Sequence, residues 1–233
     1  MSTQNRPQYE AMLQQALNAR MVTLSRRRLF RNVAIAGGGL AAVSITGIAG
    51  AQSSGSTPVS GAGTAPFAND TEVLNYALTL EHLESAFYRD GLASIGSAGI
   101  VALGFQSGVF DFLSEIAAHE AAHVETLTKV VSSLGGQPVA EAKYNFGYKD
   151  AKGFLATAQA LEDTGVGAYT GAAQYLMDSP DLLTAALTIH GVEARHASYL
   201  AVLNSANPFP AAFNKALTKD EVLKIATPFI TGS

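Results

Sequence analysis

Apolar residues recur every three or four positions in four long stretches of the chain, which is the spacing of an α-helix with one buried face. The stretches cover about residues 70–89, 107–133, 152–177 and 180–205, and polar or glycine-rich segments separate them. The sequence therefore predicts four long helices that pack their apolar faces together as a bundle.

Capping residues mark several of the predicted helix ends. Ser179 and Pro180 combine an N-cap side chain with a proline at the first helical position. Gly135-Gly136 is expected to close the second helix. The run Thr218-Lys219-Asp220-Glu221 is typical of the N-terminal cap of a helix, and it predicts one short final helix.

The segment between the second and third helices, residues 134–151, is long for a connection between neighbouring antiparallel helices. At about 3.3 Å per extended residue it reaches about 60 Å, whereas a helix of about 25 residues is about 38 Å long. The second and third helices can therefore run parallel, joined by a crossover along the bundle, and we expect this connectivity.

Each predicted helix also places a carboxylate among its apolar positions. In the second helix Glu120 and His123 occupy two consecutive seam positions, and in the fourth helix Glu193 and His196 do the same. The third helix has Glu162 at its seam. Because the three-residue step of Glu-x-x-His brings both side chains to one face, such a Glu can bridge two metal ions while its His binds one.

Four buried carboxylates in one bundle repel one another. Each also carries a desolvation penalty on the order of several kcal/mol when it stays ionised and unpaired. Two divalent cations supply four positive charges against the four Glu, and two neutral imidazoles complete the ligand set without changing that balance. A single buried Glu–His pair can equally be a structural hydrogen bond. Six such residues in register favour a di-metal site.

These residues resemble the ligand pattern of a known group of proteins. The order Glu, Glu-x-x-His, Glu, Glu-x-x-His on successive helices resembles the ferritin-like superfamily of di-iron and di-manganese carboxylate proteins. It is more closely similar to exported ferritin-like domain proteins of the desiccation-related type, over about residues 70–233 and including Asn207–Pro210. The resemblance implies an all-α, ferritin-like four-helix bundle with a long crossover between helices 2 and 3 and a short C-terminal helix. It implies as metal ligands Glu81, Glu120, His123, Glu162, Glu193 and His196.

Two carboxylates compete for the ligand position on the first helix, because Glu81 and Glu84 both fall on its seam. We favour Glu81, because many members of the family have a tyrosine seven residues after this ligand, and Tyr88 stands at that distance. Its hydroxyl is expected to hydrogen-bond near the site, as the candidate catalytic side chain. Glu84 is then an extra carboxylate one turn away. It either hydrogen-bonds to a metal ligand, binds metal ions as they enter the site, or makes a contact between helices.

Several neighbouring residues receive other interpretations. His82, His119 and His190 stand one position off the seams, which predicts places behind the ligands or on the surface. Tyr169 is interpreted as core packing and not as a radical site. Gly165 either leaves room for a small ligand or permits close helix packing.

Composition narrows the chemistry. Cysteine is absent from the 233 residues, which excludes disulfides, thiolate metal sites and thiol catalysis. The formal net charge of −4 is divided unevenly, because residues 1–51 hold six Arg and one acid. The remainder holds nine Lys or Arg against eighteen Asp or Glu, a net charge of −9. This acidic body argues against nucleic-acid binding.

The basic start of the chain is typical of an export signal. The arginine-rich run Ser25–Arg31 precedes an uncharged, mildly apolar run over residues 33–49 and a small-residue cleavage site that ends at Ala51. The run Ser25–Arg31 resembles the twin-arginine export signal of bacteria, which implies export of the folded protein to the periplasm or beyond. An uncleaved anchor is the alternative, but about 17 weakly apolar residues are short for a membrane span, so no stable insertion is expected after cleavage.

The sequence thus predicts three parts. Residues 1–51 form an N-terminal extension and signal peptide, in which residues 1–24 are a long polar extension or reflect a start site set too early. Residues 52–69, rich in Ser, Gly, Thr and Pro, form a flexible linker. Residues 70–233 form the ferritin-like four-helix bundle domain.

The resemblance also implies an activity. Two Fe or two Mn ions, bridged by carboxylates, would react with peroxide or dioxygen as a ferroxidase, peroxidase or catalase does, in stress protection. An electron supply from rubredoxin-type cysteine ligands cannot come from this chain, which has no cysteine. The alternative is a non-catalytic envelope or desiccation-protection protein stabilised by metal. Storage in a sealed cage is disfavoured by the long N-terminal segment and the tail, whereas a homodimer is compatible with the pattern.

Overall fold

The computed structural model describes residues 66–232, so the predicted signal peptide, its cleavage site and most of the predicted linker lie outside the described residues. Five α-helices occur in this part of the chain: α1 (Asp70–Ala102), α2 (Gly108–Ser133), α3 (Ala151–Ala172), α4 (Pro180–Leu203) and α5 (Lys219–Ala226). Two 3₁₀ turns cover Ala173–Leu176 and Thr227–Phe229, and the short strands β1 (Lys143–Tyr144) and β2 (Ile230–Gly232) pair antiparallel. Within residues 66–232, no helix has both the length and the apolar character needed to cross a membrane.

The connection between α2 and α3 crosses along the bundle, as predicted. It follows α1 from near its start towards its middle: the backbone N–H of Val139 donates to the side chain of Asn75 at 2.9 Å, and Arg89 pairs with Glu141 at 3.0 Å. α2 and α3 therefore run parallel to each other and antiparallel to α1.

α4 returns in the direction of α1. Phe154, near the start of α3, stacks on Phe87 of α1 with ring centroids 4.7 Å apart. Near the end of α4, the side-chain amide of Asn204 donates to the backbone oxygen of Leu155 at 2.9 Å, so α3 and α4 are antiparallel. The predicted all-α four-helix bundle with parallel second and third helices is confirmed.

The first helix is longer than its apolar pattern predicted. The pattern weakens after residue 89, because glycine and serine dilute it, yet α1 continues to Ala102 with a break at Gly96, where φ is 62°. Leu92 and Ile100 bury their side chains on either side of that break and hold the extension against the core. The predicted end near residue 89 was therefore wrong.

The predicted caps are present with one difference. Thr218 and Glu221 form a complete capping box at α5, and Gly135 follows α2 with a left-handed φ of 76°. Ser179 precedes α4, but its side chain does not cap that helix. Its hydroxyl donates instead to the carboxylate of Asp70, so it ties the start of α4 to the start of α1.

The chain after α4 packs back onto α3. The backbone N–H of Leu217 donates to the oxygen of Gly167 at 3.0 Å, and Val222 and Ala226 of α5 are buried. A Cβ atom on Gly171 would overlap the backbone oxygen of Leu217, so this close approach requires glycine. The C-terminal segment is thus part of the fold of the bundle.

Substitution Gly171→Ala should lower the free energy of unfolding by about 1–3 kcal/mol, because overpacking forces backbone atoms apart. Urea denaturation followed by circular dichroism measures the change. Gly108→Ala is the matched control, because a Cβ atom at Gly108 meets no heavy atom within 4 Å. Equal stability of the two variants would contradict the packing of the C-terminal segment on α3.

Candidate metal centre

The six side chains that the sequence singled out as metal ligands meet at the centre of the bundle. Each of the four helices contributes at the seam position that its apolar pattern placed inside. The four glutamates are fully buried, with 0% of their surface exposed, and the two histidines are 9% and 5% exposed. The residues are Glu81 of α1, Glu120 and His123 of α2, Glu162 of α3, and Glu193 and His196 of α4.

Their ligand atoms form two overlapping groups of four. Within each group, one oxygen or nitrogen atom from every residue lies within 4.8 Å of the others. The two groups share Glu120 and Glu193, the carboxylates of the two Glu-x-x-His pairs. One group adds Glu81 and His123, and the other adds Glu162 and His196. The two groups are therefore adjacent, have two carboxylates in common, and could each hold a metal ion.

Both imidazoles turn their Nδ1 atom towards the carboxylates. The Nδ1 atom of His123 lies 3.1 Å from Glu81 Oε2 and 3.2 Å from Glu120 Oε2. The Nδ1 atom of His196 lies 3.0 Å from Glu120 Oε1 and 3.2 Å from Glu162 Oε2. The Nδ1 atom of His123 also lies 3.4 Å from Glu193 Oε1. His123 therefore faces both shared carboxylates and His196 faces one of them, and each histidine also faces the carboxylate that belongs to its own group.

Two tyrosines hold the carboxylates that are not shared. The hydroxyl of Tyr88 donates to Glu162 at 2.6 Å, and the hydroxyl of Tyr169 donates to Glu81 at 2.5 Å. The contact of Tyr88 fits its expected place near the site. Tyr169 was interpreted as core packing alone, although it stands seven residues after Glu162 just as Tyr88 stands seven after Glu81. That repeated spacing is the sequence signal that identifies Tyr169 as a partner of the site.

Glu84 and Gly165 occupy corresponding positions on α1 and α3, three residues after Glu81 and Glu162. A Cβ atom on Gly165 would lie 2.7 Å from Glu193 Oε2 and 3.1 Å from Glu84 Oε1. The glycine thus leaves room for two carboxylates in addition to permitting close packing. The Oε2 atom of Glu84 and both carboxylate oxygens of Glu193 are buried without a hydrogen-bond partner in the described part of the chain. Such orphaned oxygens fit a bound cation.

Burial and mutual repulsion change the protonation of the cluster. Burial, followed by the charges of the neighbouring carboxylates, raises the pKa of Glu84 and of Glu193 well above the usual value. Burial also raises the pKa of Glu120 to about 7. Burial alone would lower the pKa values of the histidines, but their contacts with the carboxylates outweigh it and raise them to about 10 for His123 and about 9 for His196. Without a cation, the cluster is therefore stabilised by bound protons.

The other histidines lie outside the two ligand groups. His82 approaches a backbone oxygen of the crossover at 3.1 Å, and His190 lies 3.0 Å from the hydroxyl of Thr170. His119 is different, because its Nδ1 atom lies 3.0 Å from the Nε2 atom of His196. As expected, all three histidines lie beside the clustered residues or near the surface and not within either ligand group.

Comparison with known proteins agrees with this geometry. A family model described as a ferritin-like domain matches residues 69–206, which is more than half of the chain. The match includes the four long helices and all six clustered residues, and it ends before α5. No curated protein matches the chain significantly.

In the metal-free protein, the free energy of unfolding should fall as the pH rises from about 5.5 to about 8.5. Glu120, His123 and His196 have raised pKa values in the folded state, of about 7, about 10 and about 9. A raised pKa contributes stability that is present below the pKa of the unfolded chain and is lost as the pH rises through the folded value. Urea denaturation after removal of metal by a chelator measures this dependence. Stability that stays constant or increases over this range would contradict the protonation state of the cluster.

Proposed function

The chain belongs to the ferritin-like domain family, and we propose that its central cluster binds two iron or two manganese ions bridged by Glu120 and Glu193. The observation that carries this proposal is the pair of ligand groups that share these two glutamates. Each group supplies three carboxylates and one imidazole. Hard oxygen donors with imidazole suit Fe and Mn, and they also bind Zn, which offers no redox chemistry.

We propose further that the loaded site performs redox chemistry on peroxide or dioxygen, as a ferroxidase, peroxidase or catalase-like protein. When bound, a pair of Fe or Mn ions supplies the electrons for reduction of such an oxidant. Glu84 favours this function over a purely structural one. Burial and the neighbouring carboxylates raise the pKa of Glu84 well above its usual value, so this fifth carboxyl holds a proton while two divalent cations balance the other four. It could release that proton to balance a pair of higher total charge, as oxidised Fe or Mn would be.

The surrounding side chains orient the ligands and exclude water. Tyr88 and Tyr169 each hold one carboxylate oxygen by a hydroxyl hydrogen bond, and the second oxygen of Glu162 or Glu81 faces the histidine of its own ligand group. Tyr88 remains the proposed catalytic side chain, because its phenol is fully buried beside Glu162. The burial of all four glutamates keeps bulk water away from the reacting centre.

A second candidate function is a non-catalytic envelope protein that metal stabilises. The unpartnered carboxylate oxygens of Glu84 and Glu193 favour it, because a cation that satisfies them also stabilises the fold.

For both functions we propose export by the twin-arginine route to the periplasm or beyond, on the basis of residues 25–51 of the sequence. A role in oxidative or desiccation stress follows from the resemblance of the ligand pattern.

The purified protein, expressed without an affinity tag, should bind about two Fe or Mn ions per chain, as measured by elemental analysis after reconstitution. Substitution of both Glu120→Ala and Glu193→Ala should abolish binding of both ions with little change in helical circular dichroism, because these carboxylates belong to both ligand groups. Glu115→Ala together with Glu125→Ala is the matched control, since both side chains are exposed. A wild-type protein that takes up no metal would contradict the proposal.

Addition of hydrogen peroxide or dioxygen to the reduced, metal-loaded protein should change its optical spectrum and consume the oxidant over repeated cycles. An oxygen electrode and stopped-flow absorption measure the two effects. The Glu120→Ala, Glu193→Ala protein serves as the control for metal bound elsewhere on the surface. Two tightly bound ions with no consumption of either oxidant would instead favour the structural function.

A further inference from the structure

The two proposed cation positions are surrounded by nearly the same set of side chains. They share Glu120 and Glu193, and each adds one histidine and one glutamate that a tyrosine hydroxyl holds. They differ in what supports the histidine. The difference concerns the Nε2 atom of each imidazole, which faces away from the carboxylates.

The ring of His196 is held by a second imidazole. Its Nε2 atom lies 3.0 Å from the Nδ1 atom of His119. The two ring planes are within 7° of each other and their centroids are 5.3 Å apart, so the hydrogen bond runs close to the plane of both rings. This contact joins α2 to α4 and limits the rotation of the His196 ring.

The ring of His123 has no such support. Its contacts with carboxylates are all made by Nδ1, and in the part of the chain that the structure describes no group hydrogen-bonds to its Nε2 atom. The sequence explains the difference, because His119 precedes Glu120 on α2 whereas Val192 precedes Glu193 at the corresponding position of α4. A valine side chain cannot accept a hydrogen bond from an imidazole.

The hydrogen bond between the two imidazoles also fixes a tautomer. An imidazole that binds a cation through Nδ1 must carry its proton on Nε2, and it is oriented by the group that accepts that proton. The Nδ1 atom of His119 can accept it when the proton of His119 is on Nε2. His196 is therefore held from both sides of its ring for a cation at Nδ1, whereas His123 is held by protein groups on its Nδ1 side alone within the described residues.

From this difference we infer that His119 is a positioning residue, and that it makes the position formed by Glu120, Glu162, Glu193 and His196 the tighter of the two cation positions. The inference rests on the proposed function, because it assigns an order of affinity to the same two ions. Loss of a partner that orients a metal-binding histidine lowers metal affinity by about 10- to 100-fold.

Titration of the chelator-treated protein with Mn²⁺ tests the inference, with free Mn²⁺ measured by electron paramagnetic resonance. We expect two ions to bind with unequal affinity, and His119→Leu to weaken the tighter one by about 10- to 100-fold. His119→Asn should restore most of the affinity, because its amide oxygen can stand close to the position of Nδ1. His190→Leu is the matched control, since His190 is a half-buried histidine of α4 outside both ligand groups.

Two further variants identify the position affected. Glu162→Ala should remove the tighter ion, and His119→Leu should then have little effect on the ion that remains. Glu81→Ala should remove the weaker ion and leave the full effect of His119→Leu. Circular dichroism verifies that each variant is folded, and His119→Ala, which also removes the hydrogen bond, provides the test if His119→Leu is not folded.

Two results would overturn the inference while leaving the proposed function in place. The first is binding of two Mn²⁺ ions with affinities that His119→Leu leaves unchanged or lowers equally. The second is loss of the tighter ion in Glu81→Ala. Wild-type protein that binds no Mn²⁺ or Fe²⁺ would overturn the proposed function and the inference together.

Discussion

Five buried glutamate carboxylates at the centre of the bundle are the constraint on which the rest of this structure depends. An ionised carboxylate away from water destabilises a fold by several kcal/mol, as an order of magnitude, unless an opposite charge or hydrogen bonds compensate it. Two imidazoles and two tyrosine hydroxyls give part of this compensation, and bound protons give more. Glu84 and Glu193 still have carboxylate oxygens without a hydrogen-bond partner. The described protein groups therefore do not satisfy the cluster completely, and bound cations would do so.

The path of the chain follows from the need to bring these groups together. The crossover reverses the direction that a simple hairpin would give α3, so that α1 and α3 lie antiparallel and Tyr88 and Tyr169 each reach the glutamate of the other helix. Each half of the bundle then contributes a Glu, a Tyr seven residues later and a Glu-x-x-His pair. The halves differ where Glu84 faces Gly165 and where His119 corresponds to Val192, so the surroundings of the two ligand groups are unequal.

Much of the fold and the site could be predicted, because the helical period determines both which residues are buried and which lie on the same face. Glu120 and His123 interrupt an apolar seam, and the same period that identifies their helix places them inside it. The rest depends on distances between helices. Glu81 and Glu84 share one seam, and only packing places Glu81 in a ligand group while Glu84 lies against Gly165. The contact of His119 with His196 depends on how α2 faces α4, which cannot be read from the residues of either helix alone. The extension of α1 past residue 89 depends on the burial of Leu92 and Ile100, which lie in a stretch where glycine interrupts the apolar pattern.

We propose that the cluster holds two cations between Glu120 and Glu193. Crystals of the metal-loaded protein, measured at the absorption edge of the bound metal, test it most directly through anomalous difference density. We expect two peaks in each chain, separated by about 3.5–4 Å, one beside His123 and the other beside His196, with Glu120 and Glu193 contacting both. A single peak, or peaks only at surface carboxylates, would contradict it.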